Sequence, residues 1–378
     1  MKGHIRERSS GNWAIIIDTR DPATGQRKRK WHSFKGGKRE AQLECARLVN
    51  AQQNGTLIDG SKLTLSQFLD RWERDWIAGN VSARTGQRYR ELMGHVRPRI
   101  GNVPIQKLKP VHIGELYATL LREGRGKNGH APRTVGHVHR VLHRALGFAA
   151  QWGIVPNNVA ALVDPPRVPS TEIDALTPVQ VLAVLETLRG KSIYLIAALA
   201  LATGMRRNEL LALRWQDVDL DKGKLTVEQS LEQVKGRIAF KAPKTRHGRR
   251  TIALPSSTVA ELRTHWKAQQ QQRMALGLGK APGNSQVLAT FDGRPRSPNA
   301  VTKEWSLAMA KAGMPNITLH SLRHTHASHL IANGVDILTV SRRLGHGSPT
   351  ITLSVYGHLM HNTDERAAQI MEATFSAI

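Results

Sequence analysis

The chain is short of several things, and each shortage closes off a class of explanation. It has a single cysteine, Cys45, among 378 residues, so an intrachain disulfide framework is impossible. No apolar signal core follows the opening Met1-Lys2-Gly3-His4-Ile5-Arg6. Both features point to the reducing interior of a cell. The longest apolar run, residues 193 to 202, falls far below the ~20 residues that a membrane-spanning helix needs and reads as a buried core helix. Acidic residues are scarce. Against 55 Lys and Arg stand 29 Asp and Glu, a formal net charge of +26 that favours a polyanionic partner, nucleic acid above all.

A length of 378 residues suggests two or three domains, and no internal repeat is evident. Residues 1 to 55 read as a small basic module, with strands at 13 to 17 and 27 to 34, a turn at 21 to 25, and a helix over 38 to 50 that buries Ala41, Leu43, Ala46 and Leu48 or Val49. Arg27-Lys28-Arg29-Lys30 is a solvated hairpin edge or a phosphate contact. Four adjacent cations repel one another, which favours phosphate. Residues 63 to 163 are helical, broken near Pro98, Gly101 and Pro104, with helices expected over 111 to 122 and 133 to 152. Trp72 and Trp76 continue the stripe of Phe68 and Leu69 and belong to the core. Arg122, Arg125, Lys127 and Arg133 surround Gly124, Gly126 and Gly129, either as a surface loop or as a DNA contact. Three prolines in Asp164-Pro165-Pro166-Arg167-Val168-Pro169 mark a linker. Thr177-Pro178 then opens a further helical domain, residues 174 to 378, with strands expected over 224 to 227, 237 to 240 and 250 to 254. The 269 to 272 glutamine run continues a surface helix, and the amphipathic tail from 364 carries Ala367, Ile370, Met371, Phe375 and Ile378 on one stripe.

The chemistry-bearing residues lie in this last domain. His320-Ser321-Leu322-Arg323 opens a predicted helix over 319 to 333, where His320 and Arg323 share a face. Leu344-Gly345-His346-Gly347 is a turn that presents a histidine, and Tyr356 follows. Upstream stand Ala202-Thr203-Gly204-Met205-Arg206-Arg207-Asn208-Glu209-Leu210 and Pro243-Lys244-Thr245. Gly204 is placed to cap the helix before it, so that Arg206 emerges at an inter-helix turn.

These separated boxes, in this order, resemble the signature of the tyrosine recombinase (phage integrase) family: T-G-x-R-x-x-E-L, a lysine hairpin, H-x-x-R, L-G-H and a nucleophilic tyrosine. The resemblance implies a multidomain fold: a small α+β amino-terminal arm-binding domain (a three-stranded sheet with one helix), an all-α core-binding domain, and a mainly α catalytic domain with a small antiparallel sheet. It also implies site-specific DNA recombination, integrating or excising a mobile element in a bacterial host. A homotetramer on double-stranded DNA with core and arm sites follows, with DNA-bending accessory proteins as possible partners.

The residues suit that chemistry. A phenol makes a reversible phosphoester because phenolate leaves far more easily than an alkoxide, which makes Tyr356 the nucleophile; Tyr89, Tyr117 and Tyr194 lack the boxes and remain structural. Guanidinium forks at Arg206 and Arg323 suit the non-bridging oxygens of a phosphorus transition state, and Arg207 is the rival to Arg206. By resemblance Lys244, with Lys241 as rival, protonates the departing 5′-oxygen. His320 and His346 polarise oxygens or take the Tyr356 proton, with the base left open. Glu209 is a structural support or a surface ion pair. The sequence departs from the family pattern at Ser321, where an acid is common, and at His247-Gly248, where a serine is frequent. A metal site among His320, His324, His326 and His329 lacks a carboxylate or thiolate in that helix and has Arg323 in its midst; no cofactor is expected. A type IB topoisomerase and a non-catalytic DNA-binding regulator are the alternatives. By resemblance the tail docks either on its own domain or on a neighbouring protomer.

Overall fold

Ile15 and Ile17 share one face of a strand and are fully buried, while Ile16 between them lies on the other face and is only half-buried, and this two-residue period builds the first element of the fold. The computed structural model describes residues 3–20, 26–53, 62–123, 129–169, 175–234, 236–243, 246–359 and 363–376. The expected turn at 21 to 25 and the side chains of Arg125, Lys127 and Lys244 lie outside the described residues. By its contacts the chain falls into two units, Met1–Pro169 and Ser170–Ile378.

In the first unit, β1 (Gly3–Ser9), β2 (Asn12–Arg20) and β3 (Arg27–Lys35) form an antiparallel sheet in that order. The helix Lys38–Gln53 covers the face that carries Ile15 and Ile17, and it does so with Cys45 and Leu48. Two expected contacts fail: Leu43 is 67% exposed and Ala46 is exposed as well. The buried positions are Ala41, Cys45 and Leu48, spaced four and three apart, so the stripe runs through a cysteine that acts as a small apolar side chain. The open face carries Trp31, with Arg8 stacked over its ring at 5.8 Å.

A second apolar cluster holds the helices Leu65–Trp72, Ala83–Met93, Pro110–Arg122 and Pro132–Gln151 together. Thr64 starts the first of these through a capping box with Gln67. Trp72 is buried and stacks on Trp76 at 5.8 Å across a π-helical turn, Glu73–Ile77. Pro98 does not break a helix; it sits in the first turn of a short one, Arg97–Ile100, where its missing N–H costs nothing.

In the second unit the capping box of Thr177 with Gln180, and Pro178 behind it, start the helix Pro178–Leu188. The apolar run at 193 to 202 becomes the helix Tyr194–Thr203, and Ile196, Ala197, Leu199 and Ala200 are buried in the main core. After the short helix Arg207–Leu210 come β4 (Val218–Asp219), β5 (Lys224–Val227), β6 (Ser230–Val234), β7 (Arg237–Lys241) and β8 (Arg250–Ala253). They form two antiparallel sheets, β4-β5-β8 and β6-β7. The helices Ser256–Ala275, Pro298–Lys311, Leu319–Ala332, Ile337–Leu344, Pro349–Tyr356 and Thr363–Phe375 complete the unit. Gln269 is not merely a surface residue, since its carboxamide accepts the indole N–H of Trp215 at 2.5 Å. In the last helix Ile370, Met371 and Phe375 are exposed. None of the described helices is long and apolar enough to cross a membrane.

Candidate active site

The helix Leu319–Ala332 begins with a capping box in which Thr318 and Ser321 each accept the other's backbone N–H at 3.1 Å. Ser321, the departure from the acidic pattern, therefore fixes the helix start. That start holds Arg323, which is 3% exposed. Its guanidinium donates to the Gly204 carbonyl at 2.6 Å and to the Leu344 carbonyl at 2.8 Å. Arg206 comes from the other side. It is the residue that begins Arg207–Leu210, and it donates to Glu209 at 2.8 Å and to the Gly345 carbonyl at 3.4 Å. Arg206 and Arg323 thus meet at consecutive carbonyls of one turn.

Two left-handed glycines make this approach possible. Gly204 and Gly345 end the helices Tyr194–Thr203 and Ile337–Leu344 with φ of 65° and 68°. A Cβ on Gly204 would lie 2.6 Å from the ring of His326, and one on Gly345 would lie 2.8 Å from Arg250.

Arg250 was not singled out in the sequence, because β8 is an ordinary strand with no motif. Its guanidinium donates to the Arg343 carbonyl at 2.6 Å and to Glu209 at 2.8 Å. Glu209 is 5% exposed, so its ion pairs are buried rather than on the surface. Burial raises its pKa, but Arg250 and Arg206 outweigh that and hold the carboxyl below its usual range. Arg206, Arg250 and Arg323 stand against the single carboxylate of Glu209 in one partly buried place, which leaves it net positive. Burial, and then Arg206, push the Arg323 guanidinium down to about 9, so the cluster gains from an arriving anion.

Tyr356 ends the helix Pro349–Tyr356 and is 1% exposed. Burial pushes its phenol up to about 12, against the pull of Arg323. The phenol oxygen and His324 Nδ1 share a hydrogen bond of 2.6 Å. His346 Nδ1 shares a hydrogen bond of 2.8 Å with Thr352, one turn before Tyr356. His320 turns its ring edge-on to His324, with centroids 4.5 Å apart. His346 and His324 are held down to about 4, chiefly by burial, and His320 is lowered by burial, Arg323 and Arg206. Each of these shifts favours the neutral ring. His324 entered the sequence reading only as a metal candidate; its place one turn after His320 was the available signal.

The rivals point elsewhere. Arg207 donates to the Pro298 carbonyl at 3.2 Å and to Thr302, and Lys241 pairs with Glu232. His326 donates to the Leu201 carbonyl at 2.7 Å and accepts from Arg343 at 3.0 Å, while His329 donates to the Leu176 carbonyl at 2.8 Å. At the second departure, Gly248 seats on Pro243, where a Cβ would come within 2.4 Å of the proline. In the first unit Arg29 pairs with Asp18 at 3.3 Å, and the register sets Lys30 on the opposite face from Arg29. Arg27 and Lys28 are in β3. Arg122 and Arg133 are exposed at a helix end and a helix start.

Comparison with known proteins places this site in context. The sequence profile of the phage integrase family matches residues 174–363, and that of the phage integrase N-terminal SAM-like domain matches residues 64–121. A tyrosine recombinase XerC-like protein of Caldanaerobacter subterraneus subsp. tengcongensis is 26% identical over 361 residues, covering 89% of this chain and 90% of that protein. Two solved structures share the fold. The Tn1549 transposon integrase in complex with transposon right end DNA has a TM-score of 0.65 at 23% identity, covering 82% of this chain and 99% of that one. A lambda integrase tetramer bound to a Holliday junction has a TM-score of 0.58 at 18% identity, covering 93% and 94%. With the family profile spanning half of its length, the chain belongs to the phage integrase family of tyrosine recombinases.

Proposed function

We propose that this chain is a site-specific DNA recombinase that integrates or excises a mobile element by cleaving and rejoining DNA through a 3′-phosphotyrosyl intermediate. The observation that carries the reading is the meeting of Arg206 and Arg323 at the Leu344 and Gly345 carbonyls, beside Tyr356. In this reading the two guanidinium groups hold the non-bridging oxygens of one scissile phosphate. Tyr356 attacks the phosphorus, and His320 and His346 contact its oxygens. Lys244 protonates the departing 5′-oxygen, by its place in the family pattern. Preorganised contacts of this kind are worth on the order of 100-fold or more in rate each. The positive charge comes from side chains, so the chemistry asks for no divalent ion.

The remaining assignments belong to the same proposal. Residues 1 to 55 bind arm sites, 63 to 163 bind the core site, and 174 to 378 carry the chemistry. Arg29, with Trp31 and Arg8 on the open face of the first sheet, suits a DNA groove, and Arg27, Lys28 and Lys30 belong to the same strand. Arg122, Arg125, Lys127 and Arg133 contact DNA in this reading. The assembly on DNA is a tetramer, supported by the lambda integrase tetramer of the same fold. A bacterial host is supported by the bacterial relative.

The test uses a nicked duplex that carries the cognate core site, with chelator present. The expected result is an SDS-resistant protein–DNA adduct that is absent with Tyr356→Phe. No adduct with the cognate site would favour a non-catalytic regulator, and relaxation of any supercoiled plasmid would favour a topoisomerase.

A further inference from the structure

We propose that His324 orients the Tyr356 phenol and accepts its proton as the phenol attacks phosphorus, an assignment that rests on Tyr356 being the nucleophile. Three histidines belong to the site, and among the described residues only His324 is bonded to the phenol. The Tyr356 ring is packed in an apolar cluster with Ala327, Ile331, Val340 and Leu344. Its oxygen meets His324 Nδ1 at 2.6 Å. His346 directs its own Nδ1 to Thr352, and His320 is edge-on to His324.

His324 is also the better placed of the three. It follows Arg323 in a helix whose start is fixed by Thr318 and Ser321, and Arg323 is itself pinned to two carbonyls. A base held this way needs no reorganisation to reach the proton. The charged and titratable groups that face it are His320 and Arg323 from its own helix, His346 from the preceding turn, and Tyr356. Burial first, then His320 and Arg323, favour the neutral ring in the free protein, and in the proposed reading the ring proton sits on Nε2 so that Nδ1 offers its lone pair to the phenol. A phosphate anion held by Arg206 and Arg323 offsets their potential and raises the proton affinity of the ring at the step that uses it.

In that step the Tyr356 O–H bond breaks and the proton passes to His324 Nδ1. The Tyr356 oxygen forms its bond to phosphorus as the P–O5′ bond breaks, and O5′ takes a proton from a lysine ammonium, in this reading that of Lys244. Strand rejoining runs the same transfers backwards.

The experiment measures single-turnover adduct formation by the full chain on a nicked core-site duplex across pH, for wild type, His324→Ala, His324→Asn and Tyr356→Phe. His324→Ala is expected to slow adduct formation about 100-fold, to lose the low-pH limb of the profile, and to regain rate with added imidazole. His324→Asn keeps a short acceptor but cannot take up the proton, so it stays slow. Wild-type rate and pH profile in His324→Ala would overturn the assignment while leaving Tyr356 in place. Full activity of His324→Asn would equally overturn it, because orientation alone would then suffice. An adduct with Tyr356→Phe would sink the nucleophile reading itself. Should His324→Ala fail to melt cooperatively, His324→Asn decides the matter through its pH profile.

Discussion

Glu209 is tied to two of the arginines of the proposed site. Its carboxylate accepts from Arg206 and Arg250 at 2.8 Å each while nearly excluded from water. Removing one partner of such a buried cluster leaves charges unpaired, which costs about 3 kcal/mol or more. Glu209→Ala is therefore expected to lower the stability of the chain by about 3 kcal/mol in urea titrations at pH 7. The pH dependence follows from the direction of its shift. The folded carboxyl lies below the ordinary 4.5, so its stabilising effect is complete above that value and fades as pH falls through the folded value. Urea midpoints of Glu209→Ala should lack this acid-side decline; the same decline in both proteins would contradict the account. Little of this was legible in the sequence. Glu209 was visible in its box, but its second partner, Arg250, is 41 residues away in a strand without a motif, and only folding reveals that pair.

At the scale of elements the sequence was a good guide wherever local chemistry decides the outcome. Thr177-Pro178, the apolar run before Gly204, and the helix from Leu319 all appear where capping and periodicity put them. Elements defined by pairing were hidden. β1 has Ile5 as its one isoleucine among charged and polar residues, and β6 reads Ser-Leu-Glu-Gln-Val, so neither alternates strongly enough to be seen without its partner. The helix ends carry the most exacting demand. Gly204 combines a left-handed conformation with close approach to His326 and Leu344, and an alanine there costs about 1–2 kcal/mol for the backbone alone, with the clash added. Gly204→Ala should destabilise the chain by more than about 2 kcal/mol and slow adduct formation, because Arg323 hangs from the Gly204 carbonyl. Unchanged thermal melting and unchanged adduct rate would show that the turn does not position the arginine as described.

For the molecule as a whole, a formal charge of +26 favours a general attraction to DNA that weakens as salt rises, whereas the proposed chemistry belongs to one small cluster. The family signature made that division readable: its boxes are scattered from 202 to 356 in the chain, and those around Arg206, Arg323, His346 and Tyr356 come together only in the fold. The cluster joins two arginines, three histidines and a phenol that propensity alone would treat as unrelated surface or core residues. The most direct measurement is to trap the full chain on a nicked core-site duplex, digest the adduct with protease, and locate the nucleotide-bearing residue by mass spectrometry. The account predicts a 3′-phosphate linked to Tyr356. A nucleotide on Tyr89, Tyr117 or Tyr194, or a linkage through the 5′ end, would contradict it.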